Sequence, residues 1–465
     1  MRFRNYIGLP KLVGGIGIQN LDGFYIWSYA TGVPVAAEPL LNRPKSLHGK
    51  VPLIIESDSE GAYIEDLDLL TSGFNFPVAE QLSSNAVTTK TKVAVLSRTV
   101  AVIAFIVATK LYVRPIAINT LTRVMTFTEA ATLVNNAATT DIDICKLSST
   151  EFACSYVDDG GSDYLCVRGG SLDSDGAITL GDEKELNAGA LAKTAGTSIV
   201  LANTLTVCIA YALTADKKGL AIASNFDSDL TFSAGGTAVE FDGGDDTKEI
   251  TICSHTVGDV AVVYQAGGDT NDPITMCCGT VSTAKAIVFG AEVSMAGAAS
   301  AATGISCAAI GVDRVAFSWI DSTFLHVNMA TIALSVPTKK TELALTTTAA
   351  LTSDIQSLDN NNVIISYEDD ANANDAGKVV KCSVSGTTWT NEETDQFTHA
   401  STQTPTVGVL SPDELLLHFQ DVGNTNKGKV MFGHWKENLI DVRQETASKP
   451  IRLLIAKNPG RKYKA

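Results

Sequence analysis

The stretch VAVVYQAGGDTNDPITMCCG, residues 260–279, is an apolar alternation ending in an aromatic, then a cluster of Gly, Asp and Asn, then a second alternating run. Two such runs around turn-forming residues are the pattern of a β-hairpin. Residues 363–382, VIISYEDDANANDAGKVVKC, repeat it in different letters. Aligned on the aromatic that ends the first run, the pattern occurs at Phe105, Tyr156, Tyr211, Tyr264, Trp319, Tyr367 and Phe419. The intervals are 51, 55, 53, 55, 48 and 52 residues. A period near fifty with four short strands per repeat predicts a propeller and not a helical solenoid.

Each repeat supplies its other strands in order. A first strand precedes the aromatic, as in KVAVL (92–96) and SIVLA (198–202), and a third follows the polar loop, as in YLCVR (164–168) and KVVKC (378–382). A fourth, more polar strand follows, as in AITLGDE (177–183) and AIVFGAE (286–292). That gradient is expected when inner strands are covered on both faces and outer ones are not. Each repeat buries its faces only against its neighbours, which is why the hairpin is written so many times.

The two ends extend the count. VPLIIES (51–57), GAYIEDLDLL (61–70) and FNFPVAEQL (74–82) read as strands two, three and four of a further blade that lacks its first. PIRLLIAK (450–457) lies where the next first strand is due. The expected fold is therefore all-β, a β-propeller of eight four-stranded blades, closed by a C-terminal strand that completes the N-terminal blade. A blade built from both ends of the chain leaves no open join. Seven blades, with the N-terminal strands packed elsewhere, is the alternative. The expected organisation is an N-terminal arm or attachment segment at 1–49, the propeller at 50–457 and a basic tail at 458–465.

Composition narrows the partners. A hydrophobic fraction of 45% with 18% charged residues can fill a large core, and the net charge of −16 argues against nucleic acid, whose phosphates need a Lys/Arg surface. Both ends are basic on this acidic body, through Arg2, Arg4 and Lys11 at one end and Arg461, Lys462 and Lys464 at the other. They either dock onto acidic neighbours, copies of the same chain included, or are simply solvated. The first twenty residues lack the apolar core of a secretory signal. TVAVIAFIVAT (99–109) is too short to span a bilayer and reads as a buried strand, so no membrane insertion is expected. The nine cysteines form no CxxC pairs and mostly fall inside apolar alternation, where Cys packs as a small hydrophobe; a Cys154–Cys166 disulfide is the other option.

Several stretches carry residues that could do chemistry. EDDANANDAG holds Asp369, Asp370, Asn372, Asn374 and Asp375, oxygen ligands of the type calcium takes, but the same residues recur at this loop because Asx turns reverse the chain. SVSGTTW (383–389) and SLDSDGAIT (171–179) are degenerate relatives of the turn S-x-D-x-G-x-T-W found in sialidase-like propellers, to which the chain is similar in its repeats. That similarity implies an arginine cluster, and Arg98, Arg114, Arg168 and Arg314 are dispersed, with Arg114 and Arg168 at equivalent third-strand positions. A two-carboxylate glycosidase of another sort stays open, since acids abound. The six histidines form no HExxH, and GGIGIQN (14–20) lacks the strand, helix and acid of a nucleotide site. No catalytic residue, cofactor-binding residue or metal ligand is assigned, and no cofactor is expected.

Blades such as VAVVYQAGGDTNDPITMCCGTV and NNVIISYEDDANANDAGKVVKCSVSGTTW resemble the repetitive propeller domains of bacteriophage and large-virus structural proteins, of the tail-fibre, tail-associated or capsid-surface type. The resemblance covers residues 50–457 and rests on repeat style. It implies a non-enzymatic, homo-oligomeric virion protein whose N-terminal arm binds other virion proteins while the propeller faces a host receptor or glycan. A carbohydrate-binding or sialidase-like glycosidase propeller is the alternative function, and a cellular scaffold presenting loops to protein partners is a third.

Overall fold

The computed structural model describes most of residues 73–436, together with the short strands Gly17–Gln19, Tyr25–Tyr29, Pro34–Ala36, Lys50–Ile54, Tyr63–Leu69 and Ile440–Val442. The chain divides into two compact bodies, one of Phe74–His434 and one of Met1–Gly73 with Trp435–Ala465. Side chains are described only in the larger body and its border.

Within the larger body, seven antiparallel repeats follow one another among the described residues. The first is Thr91–Ser97, Val100–Val107 and Lys110–Asn119, with an outer strand in two pieces, Val124–Phe127 and Thr132–Asn135, both paired to Lys110–Asn119. The same scheme starts again at Thr139–Lys146, Thr197–Asn203, Lys248–Thr256, Thr303–Ala309 and Ala350–Ser357. Between repeats six and seven the chain does not break. Thr388–Ser411 is the outer strand of the sixth in its first half and the inner strand of the seventh in its second.

Each of the seven aligned aromatics sits on the second strand of its repeat, as the period predicts. These strands are covered on both faces; in the seventh repeat Glu414–Asp421 is buried at every position. Outer strands are short and half-exposed, as at Ile178–Leu180. Apolar clusters fill the space between consecutive repeats. One packs Val113 and Val134 of the first against Ile142 and Tyr156 of the second, and another packs Val262 and Tyr264 of the fourth against Cys208 and Ala210 of the third. A further cluster joins the last repeat to the first, through Leu416, Val430 and Phe432 against Ala101, Ile103 and Phe105. Each such side chain, fully buried, contributes roughly 1.5–3 kcal/mol relative to leaving it in water.

The strand assignment at the N-terminal end needs correcting. Residues 74–82 were expected as the fourth strand of a blade with 51–70, yet Glu80–Ala86 pairs antiparallel with Lys427–Lys436 and so completes the seventh repeat. The reason is an open edge: Lys427–Lys436 has no outer strand following it within its own repeat, and its unpaired backbone takes the strand that precedes the first repeat. In the smaller body Lys50–Ile54 and Tyr63–Leu69 pair with each other, and Ile440–Val442 adds to Tyr63–Leu69. The expected closing strand at 450–457 lies outside the described residues, as do the tail at 458–465 and most of the arm at 1–49. Within that arm Gly17–Gln19, Tyr25–Tyr29 and Pro34–Ala36 form a three-stranded antiparallel sheet.

Candidate functional site

A side chain on each inner strand, thirteen residues before the aromatic, is polar in all seven repeats: Lys92, Asp143, Ser198, Thr251, Ser306, Asp354 and Thr406. Strand register makes them equivalent. Each lies opposite the residue just before its aromatic, as Asp143 opposite Ser155, Ser306 opposite Ser318 and Thr406 opposite His418. A polar group at an otherwise apolar position must find a partner or cost about 1–3 kcal/mol.

The partner is usually the next repeat. Ser198 Oγ donates to Asp143 at 2.8 Å, and the same carboxylate accepts from the Ile199 amide at 2.9 Å. Ser198 Oγ in turn accepts from the Ile252 amide at 3.2 Å. Ser306 Oγ donates to Asp354 at 2.9 Å, and Asp354 accepts from the Val407 amide at 2.9 Å. The pattern is a chain of bonds from inner strand to inner strand.

Two residues earlier, the inner strands carry a second set: Lys90, Asp141, Gly196, Glu249, Gly304, Thr352 and Thr404. Register shifts mark a β-bulge here in the second, fourth, fifth, sixth and seventh repeats. Gly196, Glu249, Gly304 and Thr404 have positive φ, of 82, 47, 60 and 46°. Glycine takes that backbone freely; Glu249 does not, and a strained non-glycine residue of this kind usually costs about 1–3 kcal/mol. Bulges re-aim side chains next to functional sites.

The result is a charged cluster where inner strands of non-adjacent repeats converge. Lys90 Nζ lies 3.2 Å from Asp141, and Lys92 Nζ lies 3.9 Å from Asp354 of the sixth repeat. Lys92 keeps 40% of its side-chain surface exposed beside the buried carboxylate of Asp354. Burial works against its charge, but Asp354, Asp143 and Asp141 outweigh that and hold its pKa above the ordinary lysine value. Asp141 does the same for Lys90. Burial raises the carboxyls of Asp143 and Glu249, with Lys92 opposing at the first and Lys90 at the second. Four carboxyls thus face two ammonium groups. Such a cluster can accept hydrogen bonds from hydroxyl or ammonium donors and can give a few from lysine.

The residues singled out in the sequence fall elsewhere. Arg98 forms a two-pronged pair with Glu414, at 2.7 and 2.9 Å, joining hairpins of the first and last repeats. Arg114 donates to the carbonyls of Glu129 and Leu82, and Arg168 to those of Gly181 and Val134, so each ties its own outer strand to the one before. Arg314 donates to the Asn360 carbonyl and to Asn361. All four work as clamps between repeats, and they do not converge.

Asp369 is ion-paired with Lys378, and Asp375 accepts from Ser401 Oγ at 3.1 Å; Asn372 and Asn374 lie outside the described residues. SLDSDGAIT is an Asx turn, with Asp173 accepting from the amides of Asp175 and Ala177 at 2.9 Å. All nine cysteines are free, Cys154 and Cys166 included, and eight of them are buried. Gly17–Gln19 of GGIGIQN is a strand. The inner-strand polar set was missed because its residues differ in type; only their constant spacing ahead of the aromatic marks them.

No protein-family model matches the chain, and no curated protein matches it in sequence. Solved structures do resemble it in fold. A protein from Lactobacillus plantarum superposes with a TM-score of 0.50 at 11% identity, over 66% of this chain and 85% of that one. The NanB sialidase from Streptococcus pneumoniae gives 0.44 at 8% identity, over 78% and 70%. The fucose-recognising Aleuria aurantia lectin, a six-bladed β-propeller, gives 0.39 at 12% identity, over 64% and 93%. At these identities the likeness is one of fold: an all-β chain of propeller-like repeats.

Proposed function

We propose that the chain is a seven-bladed, non-enzymatic carbohydrate-binding propeller that takes its ligand at the axial mouth. The observation that carries this reading is the convergence of Lys90, Lys92, Asp141, Asp143, Glu249 and Asp354 from four repeats. Saccharide hydroxyls both donate and accept, so they suit a mouth that offers carboxylates and ammonium groups together. The excess of carboxyls disfavours anionic sugars, and the arginines a sialic acid would need are held in clamps between repeats. Neutral and amino sugars are the expected class.

Binding of the full chain to an immobilised glycan panel tests this. Neutral or amino saccharides should bind, sialylated ones should not, and Asp141→Asn with Glu249→Gln should abolish binding while the protein stays folded. Failure to bind any saccharide would remove the reading, and release of reducing ends during incubation would make the protein an enzyme. A propeller displayed on a virion, the setting that the sequence resemblance implies, would use the same mouth for host-surface glycans. Detection of the chain at a fixed ratio in purified particles tests that setting separately.

A further inference from the structure

One place in the repeat can be followed from blade to blade. It is made by the residue two beyond the aromatic and the third-strand residue paired with the aromatic or one step from it, with a carboxylate from the break in the outer strand in some repeats. In the sixth repeat Tyr367 pairs with Lys378, which holds Asp369 in an ion pair. In the seventh Phe419 pairs with Lys429, whose Nζ lies 2.5 Å from Asp421. The fifth has His326 opposite Trp319, with Nδ1 2.6 Å from Glu342. Three repeats therefore set a basic side chain against the acid.

The second repeat differs from these three. Tyr156 pairs with Cys166, and Cys166 pairs on its other side with Glu185. Asp158 and Glu183 occupy the acid places, and one ligand atom from each of Asp158, Cys166 and Glu183 lies within 4.8 Å of the others. Tyr156 donates its hydroxyl to Glu183 and so orients that carboxylate. Cys166 is 2% exposed, and its thiol makes no hydrogen bond among the described residues. Arg168, two residues along the strand, is spent on the carbonyls of Gly181 and Val134. A buried thiol without a partner thus stands among carboxylates where the sixth and seventh repeats place a lysine.

We propose that Asp158, Cys166 and Glu183 bind a thiophilic divalent cation of the zinc class. Thiolate and carboxylate oxygen are both ligands of such an ion, whereas calcium and magnesium take oxygen alone. On binding, the thiol releases one proton to solvent and the metal supplies the positive charge that Lys378 and Lys429 supply in the sixth and seventh repeats. Glu183 is exposed and Asp158 half-buried, so an ion can enter from solvent. Three protein ligands leave a coordination position open.

The test is titration of Co²⁺ into the tag-free full chain at neutral pH, read by the thiolate-to-cobalt charge-transfer absorption. A band that saturates at one equivalent, is displaced by Zn²⁺, and is lost in Cys166→Ser but kept in Cys208→Ser is the expected result. Cys166→Ser without metal should melt as the unmetallated parent does, which separates loss of a ligand from loss of the fold. Absence of a band from the folded parent would overturn the proposal, as would a band that survives in Cys166→Ser.

Discussion

Three of the contacts between neighbouring repeats and the one that joins the last repeat to the first are built differently. Between repeats two and three, Thr197 Oγ1 donates to Ser155 Oγ at 3.1 Å; between five and six, Ser318 and Ser353 meet at 3.1 Å; between six and seven, Ser366 Oγ donates to the Pro405 carbonyl at 3.2 Å. At the closing contact the corresponding residues are His418 and Thr91. Here Thr91 Oγ1, Thr406 Oγ1 and both ring nitrogens of His418 are buried without a hydrogen-bond partner. The closing contact is held by apolar packing and by the Arg98–Glu414 pair, whose members stand 316 positions apart. The lesson is that one period in the sequence does not give equal interfaces. The inter-repeat polar chain has a weak link where the seventh repeat meets the first, a contact between segments far apart in sequence that carries a large loop-closure entropy.

The largest expected effect lies on the well-bonded side. Asp354→Ala removes the acceptor for Ser306 Oγ and the Val407 amide and leaves Lys92 without its nearest acid, so urea unfolding should show a loss of about 3–5 kcal/mol. Acid should act on the other side. Burial lowers the His418 pKa to about 3, well below the ordinary histidine value of about 6.5. The unfolded chain then binds the proton more readily than the folded one. Stability is full above about pH 6.5 and falls by up to about 1.4 kcal/mol per unit as the pH drops towards about 3. His418→Ser, which installs the residue found at the matching place in repeats two, five and six, should flatten that part of the pH–stability curve.

A smaller effect is expected at Gly408, where an added Cβ would lie 2.8 Å from Val95 and 3.0 Å from Val93 of the first repeat. Gly408→Val should wedge the closing contact and lower stability by about 1–3 kcal/mol, seen as a lower urea midpoint. The smallest change belongs to Thr406→Val. Its hydroxyl has no partner, so a methyl group in its place should leave the midpoint within about 1 kcal/mol of the parent or raise it. The equivalent change Ser306→Ala should clearly destabilise, since that hydroxyl is bonded to Asp354. Equal responses at the two positions would erase the distinction between the contacts.

Much of this architecture was legible in the sequence because burial on both faces forces a continuous apolar second strand, and the aromatic that ends it recurs at nearly constant intervals. The fate of residues 74–82 was not legible. Their pattern says strand, and nothing local says which edge they join; that is set by the open edge of Lys427–Lys436, far away in sequence. The inner-strand cluster was hidden for a different reason. Its positions are conserved in polarity but not in residue type, so Lys92, Asp143 and Thr406 look unrelated until register places them side by side. Arg114 and Arg168 were seen to be equivalent, but only their hydrogen bonds show that the equivalence serves packing.

Hydrogen exchange of the backbone amides in the full chain tests the central claim most directly. The account predicts that Thr91–Ser97 and Glu414–Asp421, which meet at the closing contact, exchange faster at pH 5 than Thr197–Asn203 and Glu151–Asp158, which meet across a bonded one. Raising the pH to 7 should narrow the difference as His418 loses its drive to take a proton. Uniform protection around the repeats, or slowest exchange at the closing contact, would contradict it.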